Sequence, residues 1–186
     1  MTTRVLELSE YRKIIELFLN GFTAEDGKIF RPNRQIALAL QLQASLGLRI
    51  GDVLNLRVNS FKNGKLEIRE DKTEKLQYRE INRNVFDHIK DYAIEKKLSQ
   101  TDKLFSIGIR AVQTQLKLIT DFLGLDNIST HSFRKMYATT VYEGNGHNLE
   151  LVKELLNHTS IATTQRYIRV SQQAIDKASA SVNFIS

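Results

Sequence analysis

Residues 33–56 read NRQIALALQLQASLGLRIGDVLNL. From about Asn33 to Leu46 apolar residues fall on most sides of a helix: Ile36, Leu38, Leu40, Leu42 and Leu46. A helix apolar on most sides must be covered by other elements, so this segment predicts a central buried helix. Pro32 suits its first turn and Gly47 ends it. A short helix from about Gly51 to Leu56 follows the break. Between the two stands Arg49, flanked by Leu48 and Ile50. A cation in that setting is costly to bury unless something negative meets it. Asp52 is one candidate partner and a bound phosphate is the other.

Toward the N-terminus, Ser9 is positioned to cap a helix whose apolar stripe holds Ile14, Ile15, Phe18 and Leu19, with Gly21 as its stop. Gly27 and Pro32 bracket a loop. Toward the C-terminus the period changes. Leu66 and Ile68, then Leu76, Tyr78 and Ile81, alternate as two short strands joined by the polar segment Glu70 to Lys75. Asn63-Gly64 marks a turn before the first strand. Helical spacing then resumes at about 83–97, with Val85, Phe86, Ile89 and Tyr92 on one side. Further helices are expected at 110–122, 130–142, 149–156, from after Ser160 through Tyr167, and in a tail at 174–180. The fold class is mainly α with a small antiparallel β-hairpin insertion.

Composition narrows the function. The chain of 186 residues is 41% hydrophobic and can fold by burial. It has no cysteine, which excludes disulfides and Cys-based metal sites. No apolar run approaches the ~18 residues of a membrane span, and Met1 to Glu10 carries no signal-peptide core. The expected location is therefore the cytoplasm. The net charge of +6 and pI near 9.5 favour a nucleic-acid partner through phosphate contact.

Four segments carry candidate chemistry. In His131-Ser132-Phe133-Arg134, Ser129 or Thr130 caps the helix and His131 falls in its first turn. His131 and Arg134, three apart, share a face, while Phe133, Tyr137 and Val141 form a separate apolar face. The polar pair is expected to point away from the core, where helix N–H groups and an arginine make a phosphate site. Arg49 is the second candidate. The third is Lys72 in the loop Asp71-Lys72-Thr73-Glu74-Lys75, either solvated or able to swing onto a ligand and deliver a proton. The fourth is LLNHTSIATTQRY, residues 155–167, where His158 sits in a turn, Ser160 caps a new helix and Tyr167 emerges two turns later. Each alone has an ordinary structural reading: surface pairs, an ion pair, a solvated lysine, a packed tyrosine.

Taken in order, the chain has Arg in a GLRxG context, Lys in a hairpin, HxxR, and His nine residues before Tyr. This set resembles the tyrosine recombinase (phage integrase) family, most clearly in SLGLRIGDVLNL, THSFRKMYATT and LLNHTSIATTQRYI. The resemblance runs from about Asn33 to Ile168. It implies a catalytic domain that cuts and rejoins DNA. Arg49 and Arg134 would clamp the scissile phosphate. His131 and His158 would bond its oxygens, with His131 also assisting proton transfer. Lys72 would be the general acid on the 5′-oxygen, with Lys75 as its competitor. Tyr167 would attack phosphorus and form a 3′-phosphotyrosyl bond. Asp52 stands where the family often has Glu and would support the cluster. Asn157 stands where the family commonly has Gly. No cofactor and no metal are required by this chemistry.

The resemblance also sets expectations for organisation. Residues 1–30 are a short helical extension, 31–170 the catalytic domain, and 171–186 a tail that could dock on a neighbouring protomer in a tetramer. Many family members carry an N-terminal domain that closes the DNA clamp; here about 30 residues precede the catalytic domain, and the fimbrial-switch invertases are similarly short. Double-stranded DNA is the expected partner, with accessory DNA-binding proteins and a bacterial, plasmid or phage origin. Arg79, Arg83, Arg110, Lys135 and Arg166 are candidate DNA contacts. The competing readings are a non-catalytic helix-turn-helix-like binder using Gln165 and Arg166, a type IB topoisomerase, and a metal protein built on the four histidines, whose spacing fits no compact ligand set.

Overall fold

A computed structural model describes residues 3–24, 26–69, 76–168 and 179–181. Lys72 and Lys75 lie outside the described residues, as does the expected docking tail at 171–186, apart from 179–181, and with it most of the expected tail helix. The elements run α1 (Leu8–Asn20), β1 (Phe22–Thr23), β2 (Ile29–Phe30), α2 (Arg34–Leu46), α3 (Ile50–Asn55), a 3₁₀ turn (Val58–Ser60), β3 (Phe61–Lys62), β4 (Lys65–Arg69), β5 (Leu76–Glu80), α4 (Arg83–Glu95), α5 (Ile109–Phe122), α6 (Thr130–Gly144), α7 (Leu149–Leu156) and α8 (Ile161–Gln165). The mainly helical fold with a small antiparallel sheet is as expected. Among the described residues no helix is long and apolar enough to cross a membrane.

α2 is the central helix, packed against α1, α3 and α6. Ile36, Ala37, Leu38, Ala39, Leu40, Leu42 and Leu46 are all buried. Each Leu or Ile buried in this way contributes about 1.5–3 kcal/mol. The Asn33 side chain accepts from the Ile36 N–H at 3.2 Å, capping the helix, and donates to Gln115 of α5 at 3.1 Å. At the other end Gly47 turns left-handed, with φ +63°, and its N–H bonds the Gln43 carbonyl at 2.9 Å. A Cβ there would lie 2.3 Å from the Tyr137 ring of α6. Backbone angle and close packing therefore both demand glycine at this position.

α1 departs from expectation at its start. Ser9 lies inside the helix, and the cap is Glu7, whose N–H donates to Glu10 at 2.9 Å. Arg4 explains the choice: it grips both Glu10 oxygens at 2.7 and 2.6 Å, and its own N–H bonds the Asn127 carbonyl. Ile14, Ile15 and Phe18 of α1 enter the same hydrophobic core as α2. Two strand pairs escaped the sequence reading because two residues cannot display alternation. β1 pairs antiparallel with β2, stacking Phe22 on Phe30 at 4.4 Å. β3 pairs with β4 across Asn63-Gly64, whose φ values of +52° and +74° suit a tight primed hairpin turn. β4 and β5 pair from Lys65↔Glu80 to Arg69↔Leu76.

A smaller apolar cluster joins α6, α7 and the segment after α8. It contains Ala138, Val152 and Leu156, with Tyr137, Val141, Tyr142, Tyr167 and Ile168 packed on it. α7 ends at Asn157 in the left-handed region, φ 56° and ψ 41°. Asn tolerates that region better than other side-chain-bearing residues, so it can replace a glycine here.

The two-fold demand on Gly47 gives a test by denaturation. Gly47→Ala should cost ~2–4 kcal/mol, from left-handed strain plus the clash with Tyr137. Gly64→Ala, with φ +74° but nothing within 4 Å of its Cβ position, should cost only about 1 kcal/mol. Equal losses would show that Tyr137 does not press on Gly47.

Candidate active site

The site forms where α2 and α7 both end. Arg134, on the second turn of α6, is 1% exposed. This corrects the expectation that His131 and Arg134 point together away from the core: His131 is exposed and Arg134 is buried. The reason lies in what Arg134 meets. Its Nη1 donates to the Gly47 carbonyl at 2.6 Å and its Nη2 to the Leu156 carbonyl at 2.6 Å. These carbonyls sit at the negative ends of α2 and α7. Two such ends offset part of the cost of burying the guanidinium.

Arg134 also fixes His158, which is 7% exposed in the turn after α7. The guanidinium Nη2 lies 3.4 Å from His158 Nε2. Arginine can only donate, so Nε2 accepts and Nδ1–H donates to Thr164 Oγ1 at 3.0 Å. Burial, then the charges of Arg134 and Arg49, push His158 down to about 4. The imidazole is neutral at neutral pH. Thr164, fully buried on α8, was missed by the sequence reading because nothing distinguishes it from its neighbour Thr163.

Tyr167 packs edge-on against His158, with ring centroids 4.8 Å apart. The sequence reading carried a helix through Tyr167, but α8 stops at Gln165 and Tyr167 lies in the following turn, its N–H bonded to the Thr164 carbonyl. The half-buried tyrosine is thus set by a tight turn rather than by a helix face. Arg49 caps the start of α3, two residues beyond Gly47, with Nη1 3.9 Å from Asp52 Oδ2. Asp52 is 3% exposed.

Two expected DNA contacts turn inward instead. Lys135 is 8% exposed; its ammonium donates to the Thr3 carbonyl and sits 5.7 Å from the centre of the Tyr167 ring. Arg79 donates to the Leu46 carbonyl and, at 3.1 Å, to the Leu155 carbonyl, and lies over the Tyr137 ring at 5.7 Å. Sequence gives no cue for either, because nothing local marks which strand face or helix face will meet a helix end. Arg83, Arg110 and Arg166 are exposed as expected, Arg83 alongside Asp87 at 3.5 Å. Arg49, Arg134, His158 and Tyr167 are therefore brought together, and His131 lies on the exposed first turn of the helix that carries Arg134. Among the described residues no three His, Asp or Glu side chains are grouped to hold a metal ion.

Residues 6–174 match the model of the phage integrase family. A probable integrase/recombinase of Acholeplasma phage L2 is 29% identical over 143 residues, covering 72% of this chain and 48% of that protein. The crystal structure of XerA recombinase aligns over 98% of this chain and 65% of that one, with a TM-score of 0.75 and 17% identity. A XerH site-specific recombinase bound to palindromic difH substrate, in a post-cleavage complex, aligns over 97% of this chain and 54% of that one, with a TM-score of 0.72 and 22% identity. The chain spans about half the length of the curated relatives it matches.

The depressed His158 titration fixes the sign of a pH effect. Between pH 6.5 and about 4 the unfolded chain binds a proton there that the folded chain does not. The contribution is complete above the unfolded value and is lost as pH falls toward the folded one, on the order of 2–3 kcal/mol. Urea unfolding of wild type and His158→Gln between pH 7 and 4 should show the wild type losing more stability. Parallel curves would place His158 in a solvated setting.

Proposed function

The chain belongs to the phage integrase family, and on that premise we propose that it is the catalytic domain of a tyrosine-type site-specific recombinase. The observation that carries the reading is the continuous contact from Arg134 to His158 to Tyr167, at 3.4 Å and 4.8 Å, with Arg49 close enough to act on His158 by its charge.

In this mechanism Arg134 and Arg49 bind the nonbridging oxygens of the scissile phosphate. Arg134 is immobilised in advance, so little of its binding energy is lost to ordering. His131 bonds the same oxygens, and His158 joins it once the phosphate charge lets its Nε2 take up a proton. Tyr167 Oη passes its proton toward His131 as it attacks phosphorus, the bond to O5′ breaks, and a 3′-phosphotyrosyl link forms. Lys72 supplies the proton to the departing O5′. Rejoining runs the same steps backward with a 5′-hydroxyl from another strand. The covalent link preserves the phosphodiester's energy, so the steps need no nucleotide cofactor and no metal. Asp52 holds Arg49 at the start of α3.

Double-stranded DNA is the substrate in this reading, bound by the exposed cations Arg83, Arg110 and Arg166. Assembly on DNA as a tetramer, help from accessory DNA-binding proteins, a cytoplasmic location and an origin on a phage or other mobile element follow from the same proposal. Integration, inversion and resolution share this chemistry and differ in how the sites are arranged. A non-catalytic binder presenting Gln165 and Arg166, or a type IB topoisomerase acting without a partner site, would use the same surface.

Covalent trapping separates these readings. Nicked suicide DNA from the regions flanking the gene should give a denaturation-resistant adduct with wild type and none with Tyr167→Phe. An adduct with both would move the nucleophile to another tyrosine. Binding without any adduct would favour the non-catalytic binder.

A further inference from the structure

The same two helix ends are gripped twice. Arg134 takes the carbonyls of Gly47 and Leu156, and Arg79 takes those of Leu46 and Leu155, the residues one step earlier on each chain. Two guanidinium groups, one from α6 and one from β5, bridge the α2 and α7 termini at successive carbonyls. Tyr137 completes the arrangement: its ring lies under Arg79 at 5.7 Å, its hydroxyl is 3.5 Å from Arg79 Nη1, and its edge fills the space left by the missing Cβ of Gly47.

We infer that Arg79 is a positioning residue for the phosphate-binding cluster, holding the α2 and α7 termini at the separation that lets Arg134 reach both of them. The inference rests on the recombinase reading. Arg49 stands two residues beyond Gly47, and His158 two residues beyond Leu156. The spacing of the two termini therefore sets the spacing of Arg49, Arg134 and His158. Neither terminus is otherwise tied to the other by a backbone ladder, since helices satisfy their own bonds and leave their last carbonyls unpaired. The bidentate geometry is essential. A guanidinium has donors on two nitrogens held at a fixed distance, whereas an ammonium is a single point and cannot keep two carbonyls at a set distance. Arg79 sits on β5, so its grip on both helix ends joins the hairpin to the cluster.

The test uses the full chain with Arg79→Met, Arg79→Lys and a stability control, Val112→Ala, which trims a buried side chain in α5 away from the site. Adduct formation on the nicked suicide DNA is followed at saturating DNA, at a temperature where all variants are folded. DNA affinity is measured separately. The expected result is a fall of at least about tenfold in the rate with Arg79→Met and with Arg79→Lys, affinity within about twofold, and little change with Val112→Ala. His158 gives a second readout by nitrogen NMR. Wild type should show the Nδ1–H tautomer, and Arg79→Met should show that tautomer lost or mixed as Arg134 shifts. Wild-type rates and an unchanged tautomer in Arg79→Met would overturn the inference while leaving the recombinase reading intact. Equal rate losses in Arg79→Met and Val112→Ala would also overturn it, reducing Arg79 to a contributor to stability. Absence of any adduct in the wild type would instead count against the recombinase reading.

Discussion

A single buried guanidinium organises this molecule. Arg134 bridges the carbonyls of Gly47 and Leu156 at 2.6 Å each, and so ties the last turn of α2 to the last turn of α7. Removing an arginine from water is expensive, and a carboxylate partner is the usual remedy. Here the remedy is backbone. Two helix ends aim their unpaired carbonyls at one cation, each satisfying a need of the other. The guanidinium keeps its formal charge, because carbonyl dipoles partner a cation without cancelling it.

The electrostatics of the neighbouring groups follow from that choice. His158 is buried beside two arginines, so it is neutral in the resting protein. On the proposed recombinase reading, an incoming phosphate would oppose the arginine charges and make a protonated imidazole less costly. The same bond that orients His158, through Nε2, forces its other nitrogen toward Thr164 and thereby sets the turn from which Tyr167 projects. Backbone geometry, proton placement and the tyrosine ring are thus linked in one short path. Lys135 adds a further tie, joining the Tyr167 ring to the N-terminal segment through the Thr3 carbonyl.

Much of this was legible before any coordinates. The apolar α2, the left-handed stop at Gly47, the Asn63-Gly64 turn and the β4–β5 hairpin follow from periodicity and turn chemistry. The local contexts and order of Arg49, Arg134, His158 and Tyr167 single them out as a group, and the fold brings the four together. The failures share a cause. Helical periodicity placed Arg134 on a polar face, because a lone sequence cannot show that two distant helix ends will converge on it. Arg79 and Lys135 read as surface cations for the same reason, and Thr164 as one of a pair of equivalent threonines. Ser9 has a side chain suited to a cap, yet Arg4 and Glu10 settle the helix start by a charge contact that local propensity does not include. Long-range partners, rather than local preferences, decided each of these positions.

The central claim is that helix-end carbonyls hold Arg134 in place in the protein alone. Thermal unfolding of Arg134→Met without DNA tests it most directly. Methionine keeps most of the stem but leaves two buried carbonyls without their donor, a loss of ~2–4 kcal/mol. For a chain of this length each kcal/mol moves the midpoint by about 2–4 °C. The account predicts a midpoint lower by roughly 5–15 °C. A midpoint equal to or above that of the wild type would contradict it, and would make Arg134 a group kept for phosphate alone.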